Sequence, residues 1–167
     1  MRSLILCGFM GCGKTTVGKA LAALTGREFL DMDQEIERRA GLTVSEIFAR
    51  FGEADFRRRE RELCAELGRR EGLVVAAGGG ALTFPENAAA LSERGAVVLL
   101  DVPLPVLLRR LEGDTTRPLL ARPDREEAAQ ALYDRRLPLY RAAAGYVVNA
   151  DGAPEAVARA VAKAVGE

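Results

Sequence analysis

The residues with the clearest chemistry lie near the start of the chain, in the stretch Gly8-Phe9-Met10-Gly11-Cys12-Gly13-Lys14-Thr15. This stretch fits the phosphate-binding pattern G-x-x-x-x-G-K-[ST] in full, between an apolar run at 4–7 and a helical pattern over 16–24. The glycines let consecutive backbone N–H groups point at phosphate oxygens, with a helix dipole behind them. A glycine-rich turn with an accidental lysine is the alternative, but it does not require this strand–loop–helix context. The stretch therefore predicts a nucleoside triphosphate site.

Within this loop each polar residue has an expected task. Lys14 is expected to reach the β- and γ-phosphates, and the Thr15 hydroxyl to ligate Mg²⁺. The loop residues expected to bind the nucleotide are Gly11, Cys12, Gly13, Lys14, Thr15 and Thr16. Because a thiolate is favoured at the entrance to a helix, we also expect Cys12 to react with alkylating reagents, and bound ATP to protect it.

Two aspartates lie at the end of the second predicted strand, which covers residues 28–31. In an extended segment Asp31 and Asp33 would point to the same face. Phosphoryl transfer needs one carboxylate near the metal and another near the accepting hydroxyl, and this pair supplies candidates for both. The alternative for Asp33 is that it caps the helix predicted from Gln34 onward.

Other candidate residues are arginines and glycines farther along the chain. The run 56–62 is a charged helical stretch. Pairs such as Arg58 with Glu62 favour a solvent-exposed face for most of it. A single arginine that faces the cleft would still be enough to bind an anionic substrate. The triplet 78–80 has no side chains and suits close backbone approach to a ligand. Residues 112–124 are predicted to form a mobile lid whose Arg117 neutralises the transferring phosphoryl group, the alternative being an exposed surface arginine.

Strands and helices alternate along the chain, which predicts one α/β domain over residues 1–167 with a parallel sheet covered on both faces. In such a sheet ligands gather at the carboxyl ends of the strands. The phosphate loop, the two aspartates, the glycine triplet and the arginine-bearing loop all follow strands. We therefore expect them to converge on one site.

The composition excludes several classes of function. A net charge of zero gives no argument for nucleic acid or an anionic membrane as partner, and no apolar run is long enough to span a bilayer. With no histidine and three cysteines lacking ligand spacing, a zinc site is not expected. Free thiols and the lack of a leader pattern predict a cytoplasmic protein. The chain has no long apolar patch or heptad pattern, so we expect a monomer.

In its ordered motifs the chain resembles the shikimate kinase family over nearly its whole length. The matching stretches are 8–18, Asp-Met-Asp at 31–33, Phe-Arg-Arg at 56–58, Gly-Gly-Gly-Ala at 78–81, Thr-Arg-Pro-Leu-Leu at 116–120 and Arg-Leu-Pro-Leu-Tyr at 136–140. The resemblance implies a three-layer P-loop kinase fold, like that of nucleoside monophosphate kinases, with a five-stranded parallel sheet in the order 2-3-1-4-5. It implies a substrate-binding segment at about 32–61 and a lid at about 112–124.

The resemblance also implies the reaction and the residues for its acceptor. The reaction is ATP-dependent phosphorylation of the shikimate 3-hydroxyl, a step toward chorismate and the aromatic amino acids. Arg57 and Arg136 would hold the shikimate carboxylate, a task that suits the forked guanidinium. Asp33 would bind the ring hydroxyls and accept the 3-hydroxyl proton, and Gly79 would donate its backbone N–H to the substrate.

For the donor, the resemblance implies that Asp31 orients the Mg²⁺ shell, with Thr15 as the direct ligand. Lys14 and Arg117 would stabilise the transferring phosphate. Adenine would lie between Arg109 or Arg110 and the loop near Pro154.

Two other functions remain open at this stage. A kinase for gluconate or a nucleoside monophosphate should lack the combination of Phe-Arg-Arg with Arg-x-Pro-Leu-Tyr, because its substrate needs a different pocket. A GTP-driven switch should carry an Asn-Lys-x-Asp-type guanine motif, which this chain does not contain.

Overall fold

A computed structural model describes residues 1–114 and 117–167 of the chain. Five apolar segments form strands. They are β1 (Ser3–Cys7), β2 (Glu28–Asp31), β3 (Leu73–Ala76), β4 (Gly95–Asp101) and β5 (Tyr146–Asn149). Branched aliphatic residues dominate the three central strands, as expected for strands that are buried on both faces.

All five strands join one parallel sheet in the order β2-β3-β1-β4-β5. β1 lies at the centre, where Ile5 is level with Val75 of β3 and with Val97 of β4. Every residue of β1 and β3 is buried, whereas the edge strands β2 and β5 are partly exposed. The strand order agrees with the order implied by the family resemblance.

Eight helices connect and cover the strands in the described parts of the chain. They are α1 (Lys14–Thr25), α2 (Met32–Ala40), α3 (Val44–Phe51), α4 (Glu53–Leu67), α5 (Pro85–Ser92), α6 (Leu104–Arg110), α7 (Arg125–Ala143) and α8 (Pro154–Ala164). α1 packs against α8 in one layer, while α5 contacts both α4 and α7 in the other. The sheet therefore has helices on both faces.

The start of α2 corrects one prediction. Asp33 lies inside the first turn of the helix, and Asp31 is the capping residue, because its Oδ1 accepts a hydrogen bond of 3.1 Å from the Gln34 N–H. The two aspartates are therefore not brought together by strand alternation. They are brought together by a strand that passes directly into a helix.

Other helix boundaries also differ from those that the sequence predicts. The sequence predicts one helix over residues 53–70 and another over residues 125–136. α4 instead ends at Leu67, and α7 continues to Ala143 although Pro138 lies inside it. A proline within a helix removes one N–H···O bond, which here is the bond to the Asp134 carbonyl. The Pro138 ring is exposed, so the buried side of α7 stays intact. Consequently Arg136 and Tyr140 lie on the same continuous helix.

The predicted lid is described only in part. Thr115 and Thr116 lie outside the described residues, and Pro118–Ala121 forms a single 3₁₀ turn between α6 and α7. In the two described ranges, none of the helices combines the length and the apolar character that crossing a membrane requires.

Candidate active site

The phosphate loop connects the buried end of β1 to the start of α1. Gly11 and Gly13 have φ angles of 82° and 97°, in the left-handed region that favours glycine. The Lys14 ammonium lies across the loop, where its Nζ donates to the Gly8 carbonyl at 2.6 Å. The loop thus has the conformation needed to surround phosphate oxygens, with the lysine held on its own backbone.

A cleft of about 560 Å³ opens above this loop at the carboxyl ends of the strands. Most of the residues predicted for the site line it, from all four predicted stretches. Its lining includes Gly11, Gly13, Lys14, Thr15, Thr16, Asp31, Asp33, Gly79, Arg110, Arg117 and Arg136. The expected convergence of these stretches is therefore observed. Within the described chain, the side chains of Cys12, Arg57 and Pro154 are not part of this lining.

Thr15 and Asp31 form the part of the cleft that suits a metal ion. The Thr15 hydroxyl donates to Asp31 Oδ2 at 3.2 Å, while the other carboxylate oxygen caps α2. Mg²⁺ is usually held by one or two protein oxygens together with phosphate oxygens and water, which fits a hydroxyl and a fixed carboxylate beside a phosphate loop. Across the two described ranges, no group of three or more His, Cys, Asp or Glu residues offers an all-protein cage.

Asp33 lies opposite the glycine triplet, and its Oδ1 is buried with no hydrogen-bond partner among the described residues. Burial raises the pKa of Asp33, the nearby Asp31 carboxylate raises it further, and the cations Lys14 and Arg57 oppose the shift. A Cβ at Gly78 would lie 2.8 Å from this oxygen. Glycine is therefore needed at position 78 to let the carboxylate approach the backbone.

Arg57 is held beside the triplet by Glu60, a carboxylate that is only 1% exposed. The Arg57 Nη1 donates to Glu60 Oε1 at 2.9 Å, and its guanidinium lies 5.4 Å from the ring centroids of Phe56 and Phe84. Burial raises the pKa of Glu60, although Arg57 opposes the shift. A Cβ at Gly80 would lie 2.6 Å from the Arg57 Nη1, so the guanidinium contacts the glycine backbone directly.

Arg136 reaches the same triplet from α7. A Cβ at Gly79 would lie 3.3 Å from the Arg136 Nη1. One turn later on the same helix, the Tyr140 hydroxyl donates a hydrogen bond to the Gly79 carbonyl. The sequence did not assign a role to Tyr140. The available signal was its position four residues after Arg136, a spacing that places two side chains on one face of a helix.

Arg110 and Arg117 approach the cleft from the opposite side. Arg110 donates to the carbonyls of Gly11 and Ala150, each at 3.1 Å, and so connects the phosphate loop to the segment that precedes α8. Arg117 pairs with Asp114 at 2.6 Å and is 45% exposed. Its side chain is therefore positioned at the cleft by a local ion pair.

The expectation that Cys12 is reactive is not supported by its surroundings. The Cys12 side chain is 1% exposed, and a Cβ at Gly8 would lie 2.7 Å from its Sγ. The thiol therefore points into the protein, and the Cys12 N–H donates to the Phe9 carbonyl at 3.1 Å. An alkylating reagent would have to open the loop before it could reach the sulfur.

Comparison with known proteins identifies the family. The shikimate kinase family model matches residues 10–166. A shikimate kinase from Halorhodospira halophila is 48% identical over 98% of this chain and 91% of its own length. The chain belongs to the shikimate kinase family. A solved shikimate kinase from Acinetobacter baumannii, in complex with shikimate, is 43% identical with a TM-score of 0.92, covering 99% of this chain and 93% of that one.

The fold is also found in another shikimate kinase and in a more distant kinase. The shikimate kinase from Bacteroides thetaiotaomicron has 35% identity and a TM-score of 0.90 over 99% of both chains. A gluconokinase from Sinorhizobium meliloti covers 98% of this chain and 91% of its own, with 19% identity and a TM-score of 0.62. Together with the strand order, these neighbours confirm the predicted P-loop kinase fold of the shikimate kinase family.

Proposed function

We propose that this protein transfers the γ-phosphoryl group of ATP to the 3-hydroxyl of shikimate, giving shikimate 3-phosphate and ADP. This reaction is a step in the biosynthesis of chorismate and the aromatic amino acids. Membership of the shikimate kinase family, at 48% identity to a relative over nearly the full length, supports the proposal. The observation that carries it is the meeting of a phosphate loop and an unpartnered buried carboxylate oxygen in one cleft.

The donor half of the reaction is assigned to the phosphate loop. The backbone N–H groups of residues 11–16 would bind the β- and γ-phosphates, and Lys14 would leave the Gly8 carbonyl to contact them. Thr15 and Asp31 would hold Mg²⁺, the expected cofactor, with phosphate oxygens completing its ligands. When bound, the ion would neutralise negative charge on the phosphates. Arg110 would lie against the adenine, with Pro154 at the start of α8 on the other side.

Asp33 is the proposed base for the acceptor. Its buried Oδ1 is directed at the glycine triplet, where an incoming hydroxyl would supply the hydrogen bond that the free protein lacks. The 3-hydroxyl proton would pass to Asp33 as the hydroxyl oxygen bonds to the γ-phosphorus and the bond to the β-bridging oxygen breaks. The raised pKa of Asp33 makes the carboxylate a stronger base than an exposed aspartate.

The substrate carboxylate is assigned to the arginines on either side of the triplet. Arg57 and Arg136 come from α4 and α7 and meet the backbone at Gly80 and Gly79, respectively. Two guanidinium groups with a backbone N–H between them would form a carboxylate site. A nucleoside base would leave these cations without a partner.

Arg117 is proposed to stabilise the transferring phosphoryl group. Its pairing with Asp114 would be exchanged for contact with phosphate oxygens as the segment 112–124 closes over both substrates.

We also propose that the protein acts as a monomer in the cytoplasm. The three unpaired cysteines support a reducing compartment.

Release of ADP in the presence of different acceptors tests this function. Shikimate, gluconate and AMP are each supplied with ATP and Mg²⁺, and ADP is measured by a coupled assay. We expect turnover with shikimate alone. ADP release that is unaffected by shikimate, or faster with gluconate or AMP, would contradict the proposal.

A further inference from the structure

Tyr140 is a large buried side chain with a polar group that the assigned reaction does not use. Its relative exposure is 1%, and burial raises the pKa of its hydroxyl to about 12, although the neighbouring Arg136 guanidinium opposes the shift. A buried hydroxyl requires a partner, and phenylalanine would fill the same space without that requirement. The hydroxyl therefore calls for an explanation beyond packing.

The partner of this hydroxyl is the carbonyl of Gly79, which lies 61 residues away in the chain. The neighbouring carbonyls of the triplet make local bonds. The Gly78 carbonyl accepts from the Ala81 N–H, and the Gly80 carbonyl accepts from the Thr83 N–H and the Thr83 hydroxyl. In the described parts of the chain, Tyr140 is thus the long-range anchor of the Gly79 carbonyl. The Gly79 N–H donates to no group there, and Gly79 lines the cleft.

The Arg136 guanidinium lies beside the same glycine, since a Cβ at Gly79 would be 3.3 Å from its Nη1. Positions 136 and 140 share one face of α7, so one rigid element sets both the arginine and the carbonyl anchor. If the anchor is lost, the glycine backbone is free to move relative to the guanidinium. Glycine has more backbone freedom than any other residue, so this loop needs an external restraint to keep one conformation.

We propose that Tyr140 is a positioning residue for substrate binding, whose hydroxyl fixes Gly79 so that its N–H and the Arg136 guanidinium bind the acceptor carboxylate together. This role rests on the proposed function. It deepens that function because it assigns the Tyr140 hydroxyl to acceptor affinity and not to the nucleotide.

The test is the Tyr140→Phe variant, which keeps the ring and removes only the hydroxyl. We expect the KM for shikimate to rise about tenfold while the KM for ATP stays within twofold, because one buried bond near the acceptor is lost. Tyr133→Phe is the matched control, since Tyr133 lies on the same helix and its hydroxyl contacts the Val102 carbonyl at 3.5 Å. The control should leave both KM values unchanged.

Amide hydrogen exchange in the free protein separates this role from the proposed function. Peptides that contain residues 77–82 should exchange faster in Tyr140→Phe than in the wild type or in Tyr133→Phe. Unchanged exchange would overturn the anchor, whatever the substrate is. Faster exchange with an unchanged KM for shikimate, or an equal rise of both KM values, would overturn the positioning role. A wild-type protein that does not turn over shikimate would overturn the proposed function instead.

Discussion

Asp33 combines three properties that are rarely found together in a surface cleft. It is next to a phosphate loop, one of its oxygens is buried without a partner, and burial raises its pKa, with Asp31 adding to the shift. A buried carboxylate without compensating bonds destabilises the folded protein. Such a cost is typical of a residue that is kept for chemistry.

The Asp33→Asn variant should lose phosphoryl transfer and gain stability. We expect kcat to fall at least about hundredfold, the usual contribution of a general base, while ATP still binds. Folding raises the pKa of Asp33, so the unfolded chain loses this proton at a lower pH than the folded protein does. The free energy of unfolding therefore falls as pH rises, until the pH exceeds the pKa of the folded state. Asparagine avoids this loss, so the variant should melt at a higher temperature at pH 7.

Melting curves from pH 3 to 8, together with calorimetric ATP titration, check both effects. The stability difference should shrink at low pH, where Asp33 is protonated in both states. Asp134→Asn is the control, because Asp134 is exposed on α7 and its carboxylate accepts a hydrogen bond from Gln130. A variant of Asp33 that retains activity, or that loses ATP binding, would be inconsistent with the assigned role.

Glu60 should act through Arg57. In Glu60→Gln the buried carboxylate loses its charge, so Arg57 loses its charged partner, and the KM for shikimate should rise about tenfold with little change in the KM for ATP. Glu62→Gln is the matched control on the same helix, since its exposed pair with Arg58 contributes little. Steady-state kinetics with each substrate varied in turn would show the difference. Equal behaviour of the two variants would exclude the positioning of Arg57.

Single residues differ in how far the sequence predicts them. Lys14, Thr15 and Asp33 are predictable because each belongs to a local pattern or follows a strand. The role of Tyr140 depends on its bond to Gly79, which is 61 residues away, and no local pattern contains that contact. The sequence therefore predicts which residues form the site better than it predicts which atoms face it.

Among the elements, the glycine triplet after β3 is where the two arginines meet the backbone. In Gly80→Ala the new methyl group would lie 2.6 Å from the Arg57 Nη1 and displace the guanidinium. We expect the KM for shikimate to rise roughly tenfold, as a misplaced binding group commonly causes. In Gly145→Ala the nearest atom, the Val97 carbonyl oxygen, is 4.0 Å away, so this control should behave like the wild type. Unchanged kinetics in Gly80→Ala would show that Arg57 is not needed there.

The segment 112–124 should contribute mainly to the transition state. Arg117→Ala is expected to lower kcat by about a thousandfold while the Kd for ATP changes less than about threefold. Arg122→Ala is the control in the same segment, because Arg122 is exposed and pairs with Asp124 on the surface. Single-turnover rates and ATP titrations measure the two effects separately. An equal loss of both would make Arg117 a nucleotide anchor.

Helix α7 shows why element boundaries are harder to predict than element types. Pro138 suggests an end near Arg136, yet the helix runs to Ala143. Burial of Tyr140 and its bond to Gly79 stabilise the last turns, and these tertiary contacts outweigh the local cost of the proline. The local sequence shows the cost of the proline but not the tertiary contacts that outweigh it.

For the whole molecule, Arg27 joins the two ends of the chain. Its side chain is fully buried, and it donates to the Arg2 carbonyl at 2.9 Å and pairs with Glu167. We expect Arg27→Ala to lower the free energy of unfolding by about 2–4 kcal/mol with kcat unchanged, because it removes buried hydrogen bonds far from the cleft. Urea unfolding measures this.

The control for this variant is Arg70→Ala. Arg70 pairs with Glu28 at 3.8 Å on the surface, and losing such a pair should cost less than about 0.5 kcal/mol. Similar unfolding curves for the two variants would show that the buried pair does not stabilise the fold.

The parallel sheet was predictable from the alternation of strands and helices, because that pattern requires crossovers. The order β2-β3-β1-β4-β5 was not, since several orders satisfy the same alternation, and it came from the family resemblance. The convergence of four separate stretches on one cleft followed from the parallel sheet alone. The identity of the substrate came from the family resemblance, and the detailed contacts of the site came from the structure.

The most direct test of the central claim is the identity of the product. The protein is incubated with ATP, Mg²⁺ and shikimate, and the product is analysed by mass spectrometry and by phosphorus–proton NMR correlation. We predict a monophosphate of shikimate whose phosphorus couples to the proton on carbon 3, formed together with one equivalent of ADP. Phosphate on another hydroxyl, or free inorganic phosphate with shikimate unchanged, would contradict it.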